Sequence, residues 1–139
     1  MTEKELRQFV EDYVKAINSN NIDAIERYHA PGSAALSEGA PGEKLGAAER
    51  RKYFEERIRA FPDAKMTVNK IQPDPSGNRV TFEWTIRGTH KGPFKGMEPT
   101  GQQVEQHGSS ELELSKGKIV HEVSHQDLSA FQEHLAKGK

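Results

Sequence analysis

Residues 79–87, RVTFEWTIR, alternate polar and apolar side chains without interruption. A period of two is the signature of a strand with one buried face. A segment at 66–71 with similar character precedes it, and two more follow at 104–114 and 119–125, joined by the turn 115–118. The C-terminal half of the chain is therefore predicted to be a run of antiparallel strands joined by hairpins.

The N-terminal half has helical periodicity instead. Thr2 and Glu5 form a capping-box pattern, after which apolar residues recur at three- and four-residue steps. The sequence predicts a second short helix with Asp23 as its N-cap and a third helix over 47–60. A short strand is predicted between them at 34–36, in a segment rich in Gly, Ala and Pro.

This order of elements indicates the fold class. Helices followed by hairpin-joined strands are typical of α+β folds with an antiparallel sheet. A strongly curved sheet packed on three N-terminal helices would form a cone with an open mouth. A short C-terminal helix is predicted to begin near Asp127.

Composition limits the function classes. With 139 residues the chain is long enough for one domain, predicted over 1–139. Lys plus Arg number 20 and Asp plus Glu 21, so no basic excess points to nucleic acid or an anionic membrane. The absence of cysteine excludes disulfides and thiolate chemistry. Without an apolar leader or membrane-spanning run, a cytoplasmic protein is expected.

The segment from Gly88 to Val104, GTHKGPFKGMEPTGQQV, is unusual for a loop between strands. Such loops are mostly short and polar. This one contains four glycines, two prolines and two large apolar residues, Phe94 and Met97. A loop of this composition is either disordered or folded over another part of the protein.

Residues 61–71, 78–104 and 117–135 closely resemble the SnoaL-like polyketide cyclases, also described as ester cyclases, of the nuclear transport factor 2-like superfamily. The most specific match is the pattern G-x-H-x-G-x-[F/L]-x-G-[M/L]-x-P-T-G, which runs here from Gly88 to Gly101. The resemblance covers nearly the whole chain. It implies an α+β cone that encloses one deep apolar pocket, with Phe94 and Met97 in the pocket wall.

The resemblance also implies a chemistry. The characterised cyclases close a ring by an aldol step without a cofactor, using an aspartate on the last strand as general acid/base. That position is Ser124 here, the family's histidine position two residues earlier is Glu122, and a further family aspartate matches Asp127. An ordinary hydroxyl cannot act as a general base near neutral pH. Glu122, which points to the same strand face as Ser124, is the natural substitute.

Two interpretations of Glu122 stay open. A buried carboxyl in an apolar pocket would have a raised pKa and could shuttle protons. A solvated edge residue would not, and glutamate is rarely buried without a partner. His90, matched to a family histidine, has two interpretations as well: a proton partner of Glu122 and hydrogen-bond donor to substrate, or a structural histidine that pins its loop.

The remaining candidates are predicted to line the pocket. Gly108, on the same strand face as Gln106 and Ser110, would leave room for a ring. The predicted substrate-binding residues are Ser124, Gln106, Ser110, Trp84, Phe94, Met97, Phe54 and Tyr13.

The other histidines are interpreted as solvated. His107, His121 and His125 are predicted on the outer face of the sheet, and no metal is expected there. A role as metal ligands is not expected for His29 and His134 either. Family members commonly form dimers through this outer face, so a homodimer is expected, with a solvated sheet face as the alternative.

Two functions follow from these residues. The first is a cofactor-independent cyclase or related enzyme that acts on a hydrophobic substrate, with Glu122 and His90 as catalytic residues. The alternative is a non-catalytic protein that binds small molecules, because the catalytic aspartate position is Ser124. The fold by itself hosts both outcomes.

Overall fold

The computed structural model describes residues 1–37, 44–93 and 98–126. Phe94, Met97, His134 and the predicted helix from Asp127 lie outside these residues. The described elements are α1 (Glu3–Asn18), α2 (Ile22–Glu26), β1 (His29–Ser37), β2 (Lys44–Leu45), α3 (Ala47–Ala60), β3 (Lys65–Asp74), β4 (Arg79–Thr89), β5 (Gln103–Ser115) and β6 (Lys118–Gln126). The three helices and the sheet confirm the predicted α+β fold.

The first two helices begin at side-chain caps. The Glu5 amide donates to Thr2 Oγ1 at 3.1 Å and the Thr2 amide to Glu5 Oε1 at 2.9 Å, which confirms the capping box. The cap of α2 is Asn21, whose side chain accepts from the Ala24 amide at 3.2 Å. The predicted cap, Asp23, was wrong because its carboxylate lies inside the first turn.

The six strands form one sheet in the order β2-β1-β6-β5-β4-β3. All neighbouring pairs are antiparallel except β1 and β6, which are parallel. The prediction of an antiparallel sheet was therefore wrong at this pair. β1 runs over His29–Ser37 rather than 34–36, and it pairs with a strand about 90 residues later, which local pattern does not reveal.

The core lies between α1 and the inner face of the sheet. The alternation in β4 is confirmed, since Val80, Phe82 and Trp84 are all buried. The end of α1 is fixed to β3 by a paired contact: the Met66 amide donates to Asn18 Oδ1 at 2.8 Å, and Asn18 Nδ2 donates to the Met66 carbonyl at 2.9 Å. None of the described helices is long and apolar enough to cross a membrane.

Gly108 provides space for a ring, and that ring belongs to the protein. The ring is the indole of Trp84, which is the partner of Gly108 across β4 and β5. A Cβ at position 108 would overlap the Trp84 indole and lie 2.8 Å from the His125 carbonyl oxygen. The indole therefore lies over the glycine, on the inner face of the sheet.

Gly108→Ala is expected to destabilise the protein by about 1–3 kcal/mol, because the indole or the β6 backbone must move. Trp84 is the single tryptophan, so its fluorescence reports the displacement directly. Urea unfolding followed by that fluorescence measures both effects. Ser109→Ala, one residue along β5, is the control; equal stability of the two variants would contradict the packing described here.

Candidate functional site

Glu122 lies on β6 and faces inward against α1. Its strand partner is the buried Leu112, and its carboxylate accepts a hydrogen bond from the Tyr13 hydroxyl at 2.9 Å from Oε1. Tyr13 is itself 2% exposed. The structure thus places this carboxylate on the inner side of the sheet rather than at a solvated edge.

Burial changes the acidity of Glu122. It raises the pKa of this carboxyl to about 7, while the hydrogen bond from Tyr13 and the positive charge of Arg50 act in the opposite direction. Near neutral pH both protonation states are therefore populated. A group with such a pKa can accept a proton in one step and return it in the next.

Tyr13 connects Glu122 to His29. The distance between the Tyr13 hydroxyl and His29 Nε2 is 3.0 Å. Because the single hydroxyl proton is donated to Glu122, the tyrosine oxygen accepts from His29, and we assign the imidazole proton to Nε2. Burial lowers the pKa of His29 to about 4, helped by the charge of Arg50, so the imidazole is neutral at pH 7.

His29 lies in the interior of the protein. His29 is 7% exposed and begins β1, where it lies beside Ile119 of β6. Its ring packs edge-on against Tyr13, with centroids 5.6 Å apart. The parallel pairing of β1 with β6 brings it inward, and that pairing was not predicted.

A buried ion pair flanks these residues. Arg50 of α3 is 4% exposed and donates to both carboxylate oxygens of Glu26, from Nε at 2.9 Å and from Nη2 at 3.0 Å. The bidentate geometry neutralises both charges locally. This pair was not predicted, because a spacing of 24 residues carries no recognisable motif.

A row of polar groups continues along the inner face from Glu122. Trp84 Nε1 donates to Ser110 Oγ at 3.0 Å, and Ser110 Oγ lies 3.0 Å from Ser124 Oγ across the β5–β6 pair. Since the Ser110 oxygen accepts from the indole, its proton can be donated to Ser124. The Ser124 proton is then available to a ligand oxygen.

Two more predicted residues lie on the inner walls. Gln106 is the partner of Ile86, and its Nε2 is buried without a hydrogen-bond partner among the described residues. Phe54 of α3 belongs to the main hydrophobic core. Besides Gln106, six of the predicted site residues face inward from the sheet, α1 or α3. They are Glu122, Ser124, Ser110, Trp84, Phe54 and Tyr13.

His90 has the contacts of a histidine that pins a loop. It is buried, its amide donates to the Gln102 carbonyl at 2.9 Å, and its carbonyl accepts from the Gly101 amide at 2.8 Å. Its ring stacks on Phe61, with centroids 5.2 Å apart, and Nδ1 accepts from the Thr100 amide at 3.3 Å. The residue hydrogen-bonded to Glu122 is Tyr13, not His90.

The outer sheet face is polar. His107 is exposed and contacts Thr85 Oγ1 at 2.9 Å and Glu105 Oε1 at 2.9 Å, and His125 is exposed as well. Within the described ranges no three His, Cys, Asp or Glu residues lie close enough to hold a metal ion.

A separate hollow of about 600 Å³ lies between α1, α2 and the β5–β6 turn. It is lined by Phe9, Asp12, Tyr28 and Lys118, among others, and by none of the predicted site residues.

Comparison with known proteins supports the resemblance. The family described as SnoaL-like polyketide cyclase matches residues 6–135. The proposed hydroxylase AclR from Streptomyces galilaeus is 28% identical, with a TM-score of 0.87 over 98% of this chain and 83% of that one. Among curated proteins no match is found.

Two further solved structures share the fold. IdmH, a proposed polyketide cyclase from Streptomyces antibioticus, is 23% identical, with a TM-score of 0.79 over 94% of this chain and 97% of its own. A proposed SnoaL-like polyketide cyclase from Jannaschia sp. CCS1 is 18% identical, with a TM-score of 0.81 over 98% and 96%.

The raised pKa predicts a pH-dependent effect of Glu122→Gln on stability. The folded value of about 7 exceeds the ordinary 4.5, so the folded state holds this proton more tightly than the unfolded state. Stability from this group is therefore lost as pH rises from 4.5 to 7. Glutamine does not titrate, so the variant should be about 2–3 kcal/mol more stable than the parent at pH 8 and gain nothing at pH 4.

Denaturant unfolding at both pH values measures the difference. Glu111→Gln, on the outer face of β5, controls for the removal of one carboxylate. A Glu122→Gln variant that is less stable than the parent at pH 8 would contradict the burial described here.

Proposed function

Because the chain belongs to the SnoaL-like polyketide cyclase family, we propose that it is a cofactor-independent, cyclase-like enzyme with Glu122 as its general acid/base. The proposed substrate is hydrophobic, polyketide-like or an ester, and binds inside the cone. One observation carries the proposal: the half-buried Glu122 has a pKa of about 7 on the inner face, beside polar donors. The single domain over 1–139 stays a prediction.

The proposed reaction is an intramolecular aldol addition. The Glu122 carboxylate removes a proton from carbon next to a substrate carbonyl, and the electron pair moves to the carbonyl oxygen. The Ser124 hydroxyl is the donor that would stabilise this enolate. Gln106 lies four residues along β5 from Ser110, the strand partner of Ser124, so its amide would contact a more distant part of the substrate. The enolate carbon attacks a second carbonyl, and the resulting alkoxide takes the proton back from Glu122, so the enzyme returns to its starting state.

Tyr13 has a positioning role in this scheme. Its hydroxyl donates a hydrogen bond to Oε1 of Glu122. This bond orients the carboxylate and leaves Oε2 to contact the substrate. The neutral His29 fixes the tyrosine oxygen from the other side. His90 acts through the loop it holds and not at the reacting atoms.

The alternative function is non-catalytic binding of a small molecule. It is favoured by one observation, which is that Ser124 occupies the family's aspartate position and is hydrogen-bonded to Ser110. A serine in that contact has no base to activate it. Whether Glu122 replaces the aspartate decides between the two functions.

The deciding measurement is a carboxyl-resolved NMR titration of Glu122, alone and with an aromatic β-keto ester. We expect a pKa near 7 that moves when the ligand binds, together with hydrogen–deuterium exchange at the ligand's α-carbon. Glu122→Gln should slow that exchange about 100-fold or more, whereas Glu111→Gln should not. An ordinary glutamate pKa without response to ligand would favour the binding function.

We also propose that the protein is a homodimer through the outer face of the sheet. That face carries the exposed His107 and His125, and His107 lies beside the Glu105–Arg87 ion pair. A symmetric dimer would place this face of one protomer against the same face of its partner. Light scattering measures the mass in solution; we expect the mass of a dimer, and the mass of a monomer would contradict the proposal.

A further inference from the structure

One face of α3 carries two arginines among aromatic residues. Arg50, Phe54, Arg57 and Phe61 follow one another at steps of four, three and four residues, so they share a face of the helix. Arg50, Phe54 and Phe61 are 4%, 9% and 5% exposed. Arg57 is half-buried in the same stripe. The guanidinium of Arg57 is therefore directed toward the interior side of the helix, with accessible surface left.

The two arginines differ in their partners. The Nε–Nη2 edge of the Arg50 guanidinium is paired with the Glu26 carboxylate. Arg57 forms no ion pair or hydrogen bond within the described part of the chain; its guanidinium lies over the Phe54 ring, 5.8 Å from the centroid. Of two cations on one interior face, one is neutralised by the protein and the other keeps its donors open.

The surroundings of Arg57 are aromatic and belong to the site. Burial lowers the pKa of Arg57, with Tyr53 and Tyr13 acting in the opposite direction. An arginine remains charged even so. Tyr13, whose hydroxyl donates to Glu122, is one of the two tyrosines near enough to affect this guanidinium.

Partial burial of Arg57 removes part of its hydration, and no counterion within the described part of the chain replaces it. Five N–H donors in a planar fork match a carboxylate in bidentate geometry. Arg57 offers a ligand one positive charge, which balances one negative charge. Arg50 offers no further positive charge, because Glu26 neutralises it. This favours a monoanionic carboxylate over a phosphate dianion, and the aromatic surroundings favour an apolar body.

We propose that Arg57 binds the carboxylate of a monoanionic, otherwise apolar ligand inside the cone. The carboxylate is held at α3, and the apolar body extends along Phe54 and Tyr13 toward the sheet. The reacting carbon then meets Glu122 at the end away from the ligand's own negative charge. The proposed enzyme's substrate would therefore carry one negative charge. This inference rests on the proposed function only because it takes the cone interior as the ligand site.

Calorimetric titration with 2-naphthoate and with its uncharged methyl ester tests the proposal. The parent protein should bind the carboxylate at least 10-fold more tightly than the ester. Arg57→Gln should lose about 10- to 100-fold in affinity for the carboxylate and stay within about 3-fold for the ester. Arg59→Gln, on the exposed side of the same helix, is the matched control and should keep the parent's preference.

Thermal unfolding separates a ligand-binding role from a structural one. Without ligand, Arg57→Met should melt at or above the parent temperature, because an uncompensated cation is removed. A clearly lower melting temperature would show that Arg57 has a structural partner and would overturn the proposal. Equal affinity of the parent for the two ligands, including no binding of either, would overturn it as well.

The outcome is distinguishable from that of the proposed function. Carboxylate preference that depends on Arg57, without exchange chemistry at Glu122, would leave a binding protein with this site intact. Exchange that depends on Glu122, without any carboxylate preference, would leave the enzyme and remove the Arg57 site.

Discussion

The Tyr13 hydroxyl is the contact on which the interior of this protein depends. It joins α1 to the last described strand through Glu122, 109 residues later, and to the first strand through His29. Because a phenol has one proton to donate, its donation to Glu122 also determines the tautomer of His29. The apolar stripe of α1 and the Asn18–Met66 contact hold the tyrosine over the sheet, so helix packing sets the acidity of a carboxyl on β6.

The two walls around this contact differ in chemistry. The sheet contributes a carboxyl, two hydroxyls and an amide on neighbouring strands, in a plane fixed by strand register. The helices contribute aromatic rings and two arginines, one of which is neutralised by Glu26. A ligand bound as proposed would meet hydrogen-bond donors and a proton acceptor on one side and a cation on the other. Such an arrangement can orient an elongated molecule end to end.

The sequence predicted the elements whose pattern is local. α1, α3 and the strands β4 to β6 follow from periodicity, and the inward direction of Ser110 and Trp84 follows from strand parity. Glu122 was identified from the family resemblance together with parity, but its pKa depends on how closely α1 covers it. Tyr13 was predicted as a wall residue, whereas the partners of its hydroxyl were not.

What could not be predicted depends on pairings between distant segments. The parallel pairing of β1 with β6 places His29 inside, and no pattern in residues 29–37 predicts this pairing. The Arg50–Glu26 pair joins two helices across 24 residues of sequence. Arg57 did leave a signal, since a charged residue interrupts an otherwise buried stripe of α3, but the open donors become evident only when the pairing of Arg50 is known.

Glu122 and His29 both contact the Tyr13 hydroxyl, and their pKa values are shifted in opposite directions. The pKa of the Glu122 carboxyl rises from 4.5 to about 7, and the pKa of the His29 imidazole falls from 6.5 to about 4. Between pH 4.5 and 6.5 the folded protein keeps a proton on the carboxyl, and the unfolded chain keeps one on the imidazole. Unfolding in that range moves a proton from one residue to the other and exchanges almost none with the buffer. Two strongly perturbed groups are thus nearly invisible in the acid stability curve of the intact protein.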